Sequence, residues 1–162
     1  MRRATSQGGF TYVAVLVAVA LIGIMLAAAG MSWSMAQQRA KERELLFVGN
    51  AFRKAVADYY QGTPGTIKRY PNSFADLLKD NRNAATVRHL RRVYVDPMTG
   101  LANWGMVRAA DGGIQGVYSV AVGEPVKTSR FRQRDSEFEG ARSYADWRFV
   151  YVPPAPAQPG AL

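Results

Sequence analysis

The sequence predicts an α+β fold in which one long N-terminal helix, transmembrane in its first half, packs on a small antiparallel sheet of about three strands. Residues 4–38 contain no charged side chain. Residues 43–61 repeat apolar side chains at three- and four-residue intervals, which is typical of an amphipathic helix. Residues 103–152 contain short stretches of alternating side chains, which indicate strands.

The first helical segment, residues 10–36, is expected to cross a bilayer. A hydrocarbon core of about 30 Å requires about 20 apolar helical residues. Arg2 and Arg3 precede the segment, so the positive-inside bias predicts a cytoplasmic N-terminus.

The helix is expected to continue through residues 37–61, because no proline interrupts residues 10–61. A separate membrane anchor followed by an independent core helix is the alternative. Gly62-Thr63-Pro64-Gly65 predicts the end of the helix. The apolar face of the continuation consists of Leu45, Val48, Phe52, Val56 and Tyr59.

Residues 62–152 are expected to form one globular domain. Ser73, with Asp76 three residues later, is a helix-start signal, and residues 84–92 are a candidate for a further helical turn or two. Asp96-Pro97 followed by Gly100 predicts a turn. The three predicted strands cover residues 103–109, 113–121 and 146–152. The proline-rich residues 153–162 are expected to be disordered.

The start of the helix resembles a known processing signal. Gly9-Phe10-Thr11, after a basic leader and before a long apolar helix, is similar to the class III signal of type IV pilins and type II secretion pseudopilins. The Tyr70-Pro71 pair before a short helix resembles the same family. The resemblance implies cleavage after Gly9 by a prepilin peptidase, loss of the leader at residues 1–9, and N-methylation of Phe10.

The resemblance also implies a pilin-like fold and a function. The chain would be a single-pass protein of the bacterial inner membrane with a periplasmic C-terminal domain. It would assemble with other pilins or pseudopilins into a type II secretion pseudopilus or related type IV pilus that supports protein secretion. The implied partners include the lipid bilayer and an inner-membrane assembly platform. The alternatives are a DNA-binding minor pilin of a DNA-uptake filament and a membrane-anchored periplasmic domain that does not polymerise.

One residue departs from the family pattern. Pilins usually have a glutamate at the fifth mature position, where this chain has Ala14. Because a subunit at a filament tip has no neighbour beyond it to pair with, Ala14 favours a minor or tip position; a divergent subunit that tolerates the loss is the alternative. Small residues that permit close helix packing are Ala14, Gly23, Ala27 and Gly30.

Charged residues suggest two further sites. The net charge is +9, and a basic surface attracts lipid headgroups, acidic proteins or nucleic acid. Alternating acids offer weak calcium ligands, because such patterns beside arginines more often form solvated strands. The anion or DNA candidates are Arg88, Arg91, Arg92, Arg130, Arg132 and Arg134. The calcium candidates are Asp135, Glu137 and Glu139.

No residue pattern suggests catalysis, and the chain is predicted not to be an enzyme. It contains no cysteine, so thiol chemistry and thiolate metal sites are excluded. The single histidine, His89, lies among arginines without a partner pattern for nucleophilic or metal chemistry. A surface position is expected for it, and no cofactor other than calcium is considered.

Overall fold

The computed structural model describes residues 8–83 and 85–154, without the side chains of residues 8–10 and 27–32. The described residues fall into two compact units that divide between Arg39 and Ala40. Helix α1 covers Gly8–Gln61, and helix α2 covers Phe74–Leu78. The strands are β1 (Trp104–Arg108), β2 (Ile114–Ser119) and β3 (Phe149–Val150), with 3-10 segments at Gln133–Phe138 and Tyr144–Asp146 before β3.

The prediction of a transmembrane first half is wrong. A span requires about 20 predominantly apolar residues in one helix. Among the described residues, no helix combines the length and the apolarity that crossing a membrane requires. Residues 1–7 of the predicted leader (residues 1–9) and residues 155–162 of the predicted tail (residues 153–162) lie outside the described residues.

The three strands form one antiparallel sheet in the order β1-β2-β3. Strand β2 is central, with Trp104 opposite Ser119 on one side and Val117 opposite Phe149 on the other. Each observed strand lies inside a predicted one, and the α+β class with three antiparallel strands agrees with the sequence. The third strand is shorter than predicted, and Asp146, its first predicted residue, belongs to a 3-10 turn instead.

The core of the second unit packs against the C-terminal part of α1. All five predicted apolar-face residues of the helix are buried. Gly49 lies among them, and a Cβ added there would overlap the Phe149 ring. Glycine at this position therefore lets strand β3 approach the helix. The aromatic residues completing the core include Trp104, Phe138, Tyr144, Trp147 and Phe149.

Two local signals produce the predicted structure. The Asp76 carboxylate accepts hydrogen bonds from the backbone N–H groups of Asn72 (2.9 Å) and Ser73 (3.0 Å) at the start of α2. In the turn before β1, the Gly100 N–H donates to the Asp96 carbonyl at 2.8 Å. Gly100 has a φ of +74° there, a conformation that favours glycine.

The suggested helical turn at residues 84–92 is not formed by the described residues of that segment. Asp80 and Val87 instead pair in an antiparallel bridge, with N–H to O distances of 2.8 and 3.0 Å. The bridge uses the backbone groups that a helix would need. Ala84 lies outside the described residues.

Candidate functional site

The first unit presents an apolar helical surface, which we define as the side chains between Tyr12 and Leu26. Its eleven large apolar side chains are each 50–68% exposed. They occupy successive positions as well as positions three and four apart, so they surround the helix instead of forming one stripe. A helix that is apolar on all sides is normally buried among other apolar elements.

The predicted processing residues lie at the beginning of α1. The backbone of Gly9 and Phe10 is helical, because α1 starts at Gly8. Their side chains lie outside the described part. Cleavage and N-methylation therefore stay predictions.

The predicted packing residues are placed only in part. Ala14 is exposed, and a Cβ added at Gly23 would meet no other atom within 4 Å. Both positions are thus open to an incoming helix. The side chain of Ala27 and the surroundings of Gly30 lie outside the described part.

The predicted arginines separate into two groups. Arg88, Arg91 and Arg92 are exposed in the segment before β1, and the Arg92 guanidinium lies 5.3 Å from the centre of the Tyr94 ring. The other group lines a cavity of about 670 Å³, which we call the basic groove. This second group consists of Arg130, Arg132 and Arg134.

The basic groove contains further residues that the sequence reasoning missed. Helix α1 contributes Arg43, Phe47 and Lys54, and the loop of residues 123–145 contributes Lys127 and Phe131. The spacing of four and then seven residues along α1 places its three residues on one helical face. That spacing could have identified the helix side of the groove, but only if it were known that the loop of residues 123–145 lies against this face.

The three calcium candidates are engaged by protein donors. Asp135 is buried and forms an ion pair with Arg53 at 2.7 Å, and Glu137 lies 3.5 Å from the same guanidinium. The Glu139 carboxylate accepts the Arg130 N–H at 3.2 Å. Within the part of the chain that the structure describes, no group of three potential ligands is arranged around a metal position.

A buried carboxylate that the sequence reasoning did not identify holds the long loop of residues 123–145 to α1. Glu42 is 1% exposed. It accepts hydrogen bonds from the N–H groups of Val126 (2.6 Å) and Lys127 (3.1 Å) and from the Tyr144 hydroxyl (2.8 Å). The loop is therefore attached to the helix by two of its backbone N–H groups and by the hydroxyl of Tyr144.

A second buried carboxylate, Asp80, organises the C-terminal end of α1. Arg82 donates to both Asp80 oxygens at 2.8 and 2.6 Å and to the Tyr59 carbonyl at 2.9 Å. The Arg82 hydrogen bonds hold the pKa of Asp80 well below its usual range, and the hydrogen bond with His89 acts in the same direction. The side chain of His89 is 7% exposed, so its predicted surface position is wrong.

Comparison with known proteins adds no relative. No protein-family model, curated protein or solved structure matches the chain.

Proposed function

We propose that this chain is a pilin-like filament subunit, of the pseudopilin or type IV pilin kind, that polymerises through the apolar surface of α1. The observation that supports this is the ring of exposed apolar side chains between Tyr12 and Leu26. Copies of the same helix offer a matching apolar partner. The Gly9-Phe10-Thr11 signal supports the same reading, because it resembles the processing site of that family.

Burial of the exposed apolar area supplies a driving force of the same order as the cost of association. Burying a large apolar side chain completely contributes about 1.5–3 kcal/mol, so covering the exposed half of each contributes roughly 1 kcal/mol. Eleven such side chains give roughly 10 kcal/mol for each helix. This is comparable with the cost of association, about 4–15 kcal/mol.

Single cysteines test the helix contacts directly, because the chain has none of its own. Leu16→Cys, Val17→Cys and Val19→Cys sample different faces of α1, since successive helical residues differ by about 100°. After detergent removal and mild oxidation, we expect at least one of them to form disulfide-linked dimers. Val122→Cys is the matched control, because Val122 is a fully exposed apolar residue of the second unit.

Equal cross-linking of the α1 variants and of Val122→Cys would contradict assembly through this surface. Processing has a separate test. Intact-mass measurement after expression beside a prepilin peptidase should show loss of residues 1–9 and one methyl group on Phe10. A mass that still includes Met1–Gly9 would refute cleavage after Gly9.

Ala14 further supports a minor or tip position in the filament. A glutamate in an apolar helix bundle needs a partner for its charge. A subunit that lacks this glutamate needs no such partner from the neighbouring subunit. Immunogold labelling of filaments from the source cell should therefore mark the ends. Uniform labelling along the shafts would refute the tip position while leaving assembly through α1 intact.

A further inference from the structure

The basic groove has a strong excess of positive charge. Its only carboxylate is Asp135, which is buried and already paired with Arg53. Lys54 is paired with Asp58 at 2.7 Å. Among the described residues, no carboxylate lies within ion-pair distance of the three arginines Arg43, Arg130 and Arg132.

Arg130 occupies a backbone conformation that normally belongs to glycine. Its φ is +59°, and it is the only non-glycine residue in the described part of the chain with a positive φ. Five other described positions with positive φ are all glycine. A non-glycine residue in this conformation is strained, so glycine is the residue best suited to this position.

The contacts around Arg130 explain how the strained conformation persists. Its N–H donates to Glu139 at 3.2 Å, and the Lys127 ammonium donates to its carbonyl at 3.1 Å. The surroundings thus fix the backbone at this residue. They leave its guanidinium available to a ligand.

Aromatic rings accompany the cations. Phe47 is 65% exposed and follows Arg43 by one helical turn on α1. Phe131 lies on the loop side, with the Lys127 ammonium 4.7 Å from the centre of its ring. Phe131 is half-buried against Phe138 and Trp147, so Phe47 is the exposed ring of the groove. An exposed aromatic ring beside cations fits ligands that combine phosphates with flat bases, whereas an acidic peptide requires only the cations.

We propose that the basic groove binds single-stranded nucleic acid, with Arg43, Arg130 and Arg132 contacting phosphates and Phe47 stacking on a base. A single strand exposes its bases to a side chain, but a duplex keeps them stacked in pairs. This function is separate from filament assembly and is tested on dispersed chains.

The test is fluorescence anisotropy with the full-length chain in a neutral detergent, which adds no charge. The probes are labelled 15-mers of deoxythymidine and of uridine, which separate DNA from RNA, and a 15-base-pair duplex. We expect at least tenfold tighter binding of a single strand than of the duplex. Three to six phosphate contacts give a slope of log affinity against log salt of about −2 to −4.

Arg130→Gly is the decisive variant, because it removes one groove cation and relieves the backbone strain. We expect its melting temperature to be no lower than that of the unmodified chain. We expect weaker binding, with a salt slope less steep by about 0.7. Arg88→Gly is the matched control, because Arg88 is exposed and does not line the groove; it should leave affinity unchanged.

Phe47→Ala separates nucleic acid from an acidic peptide. Loss of one stacked base should weaken binding of the single strand roughly 5- to 100-fold, and Val122→Ala, also at an exposed apolar residue, should leave it unchanged. Three results would overturn the proposal. The first is no binding of either single strand at 50 mM salt. The second is an equal loss of affinity in Arg130→Gly and Arg88→Gly. The third is a polyglutamate peptide that binds as tightly as the 15-mers, together with a Phe47→Ala variant whose affinity for the single strand is unchanged.

Discussion

Replacing Glu42 with alanine tests how the long loop of residues 123–145 is held against helix α1. The carboxylate is buried and accepts hydrogen bonds from two loop N–H groups and from the Tyr144 hydroxyl. Glu42→Ala removes all three acceptor contacts at once. Glu44, the next carboxylate along α1, is exposed to solvent.

The expected loss follows from those three donors. A buried donor left without a partner costs about 1–3 kcal/mol. Water can reach part of the loop after the substitution, so we take the lower half of that range for each of the three donors and expect roughly 3–6 kcal/mol in total. This is a large fraction of the roughly 5–15 kcal/mol that stabilises a typical domain.

Glu42→Gln should cost less. Val126 and Tyr144 both donate to Oε1, whereas Lys127 donates to Oε2. A glutamine with its oxygen at the first position keeps two acceptor contacts and places an amide N–H₂ group against the Lys127 N–H. One lost contact predicts roughly 1–2 kcal/mol.

Urea unfolding followed by tryptophan fluorescence measures these differences. Trp147 is buried and lies 5.8 Å from Tyr144 between ring centres, so it reports the attachment of the loop. Glu44→Ala is the control, since it removes the same charge at an exposed position two residues away and should change the free energy of unfolding by less than about 0.5 kcal/mol. If Glu42→Ala were no more destabilising than Glu44→Ala, the carboxylate would not be holding the loop.

Three further substitutions test other parts of the second unit by urea unfolding. Gly49→Ala should destabilise it by about 1–3 kcal/mol or more, because the new Cβ overlaps the buried Phe149 ring; an unchanged unfolding midpoint would show that the ring moves freely. Ser119→Ala removes the 2.6 Å hydrogen bond to buried Asp96 and should cost about 1–3 kcal/mol, whereas no cost would mean that water replaces the hydroxyl. The lowered pKa of Asp80 stabilises the fold above the carboxyl's unfolded value of about 3.9, and that contribution is lost as pH falls below it. Asp80→Asn should therefore be less stable than the unmodified chain at pH 7 and lose less stability on acidification, and parallel pH profiles would contradict this role.

Local signals in the sequence predicted much of the second unit. The apolar spacing of Leu45 to Tyr59, the Asp76 cap, and the Asp96 turn each depend on residues within about one or two turns of chain. These elements can therefore be predicted from the local sequence, with little knowledge of the rest of the fold. The three strands also follow from local alternation, although the sequence overestimated the length of β3.

Contacts between distant residues account for what was missed. Glu42 and Val126 are 84 positions apart, and nothing near Glu42 distinguishes it from exposed Glu44. Residues 85–92 carry helix-forming side chains, but pairing of Val87 with Asp80 decides their conformation. His89 has arginines as sequence neighbours and nevertheless faces a carboxylate, which reverses the electrostatic setting that its local sequence suggests.

The two attachments of the long loop also account for the form of the basic groove. Glu42 holds the loop at Val126 and Lys127, and Arg53 holds it at the Arg134 carbonyl (2.9 Å) and Asp135. The two helix residues are eleven positions apart, which is about 16 Å along α1. Residues 128–133 must bridge that interval between fixed ends, and a strained residue persists where its surroundings leave no alternative. The strain at Arg130 is thus a consequence of attachments made elsewhere, so stability of the loop and presentation of the groove cations depend on the same two helix side chains.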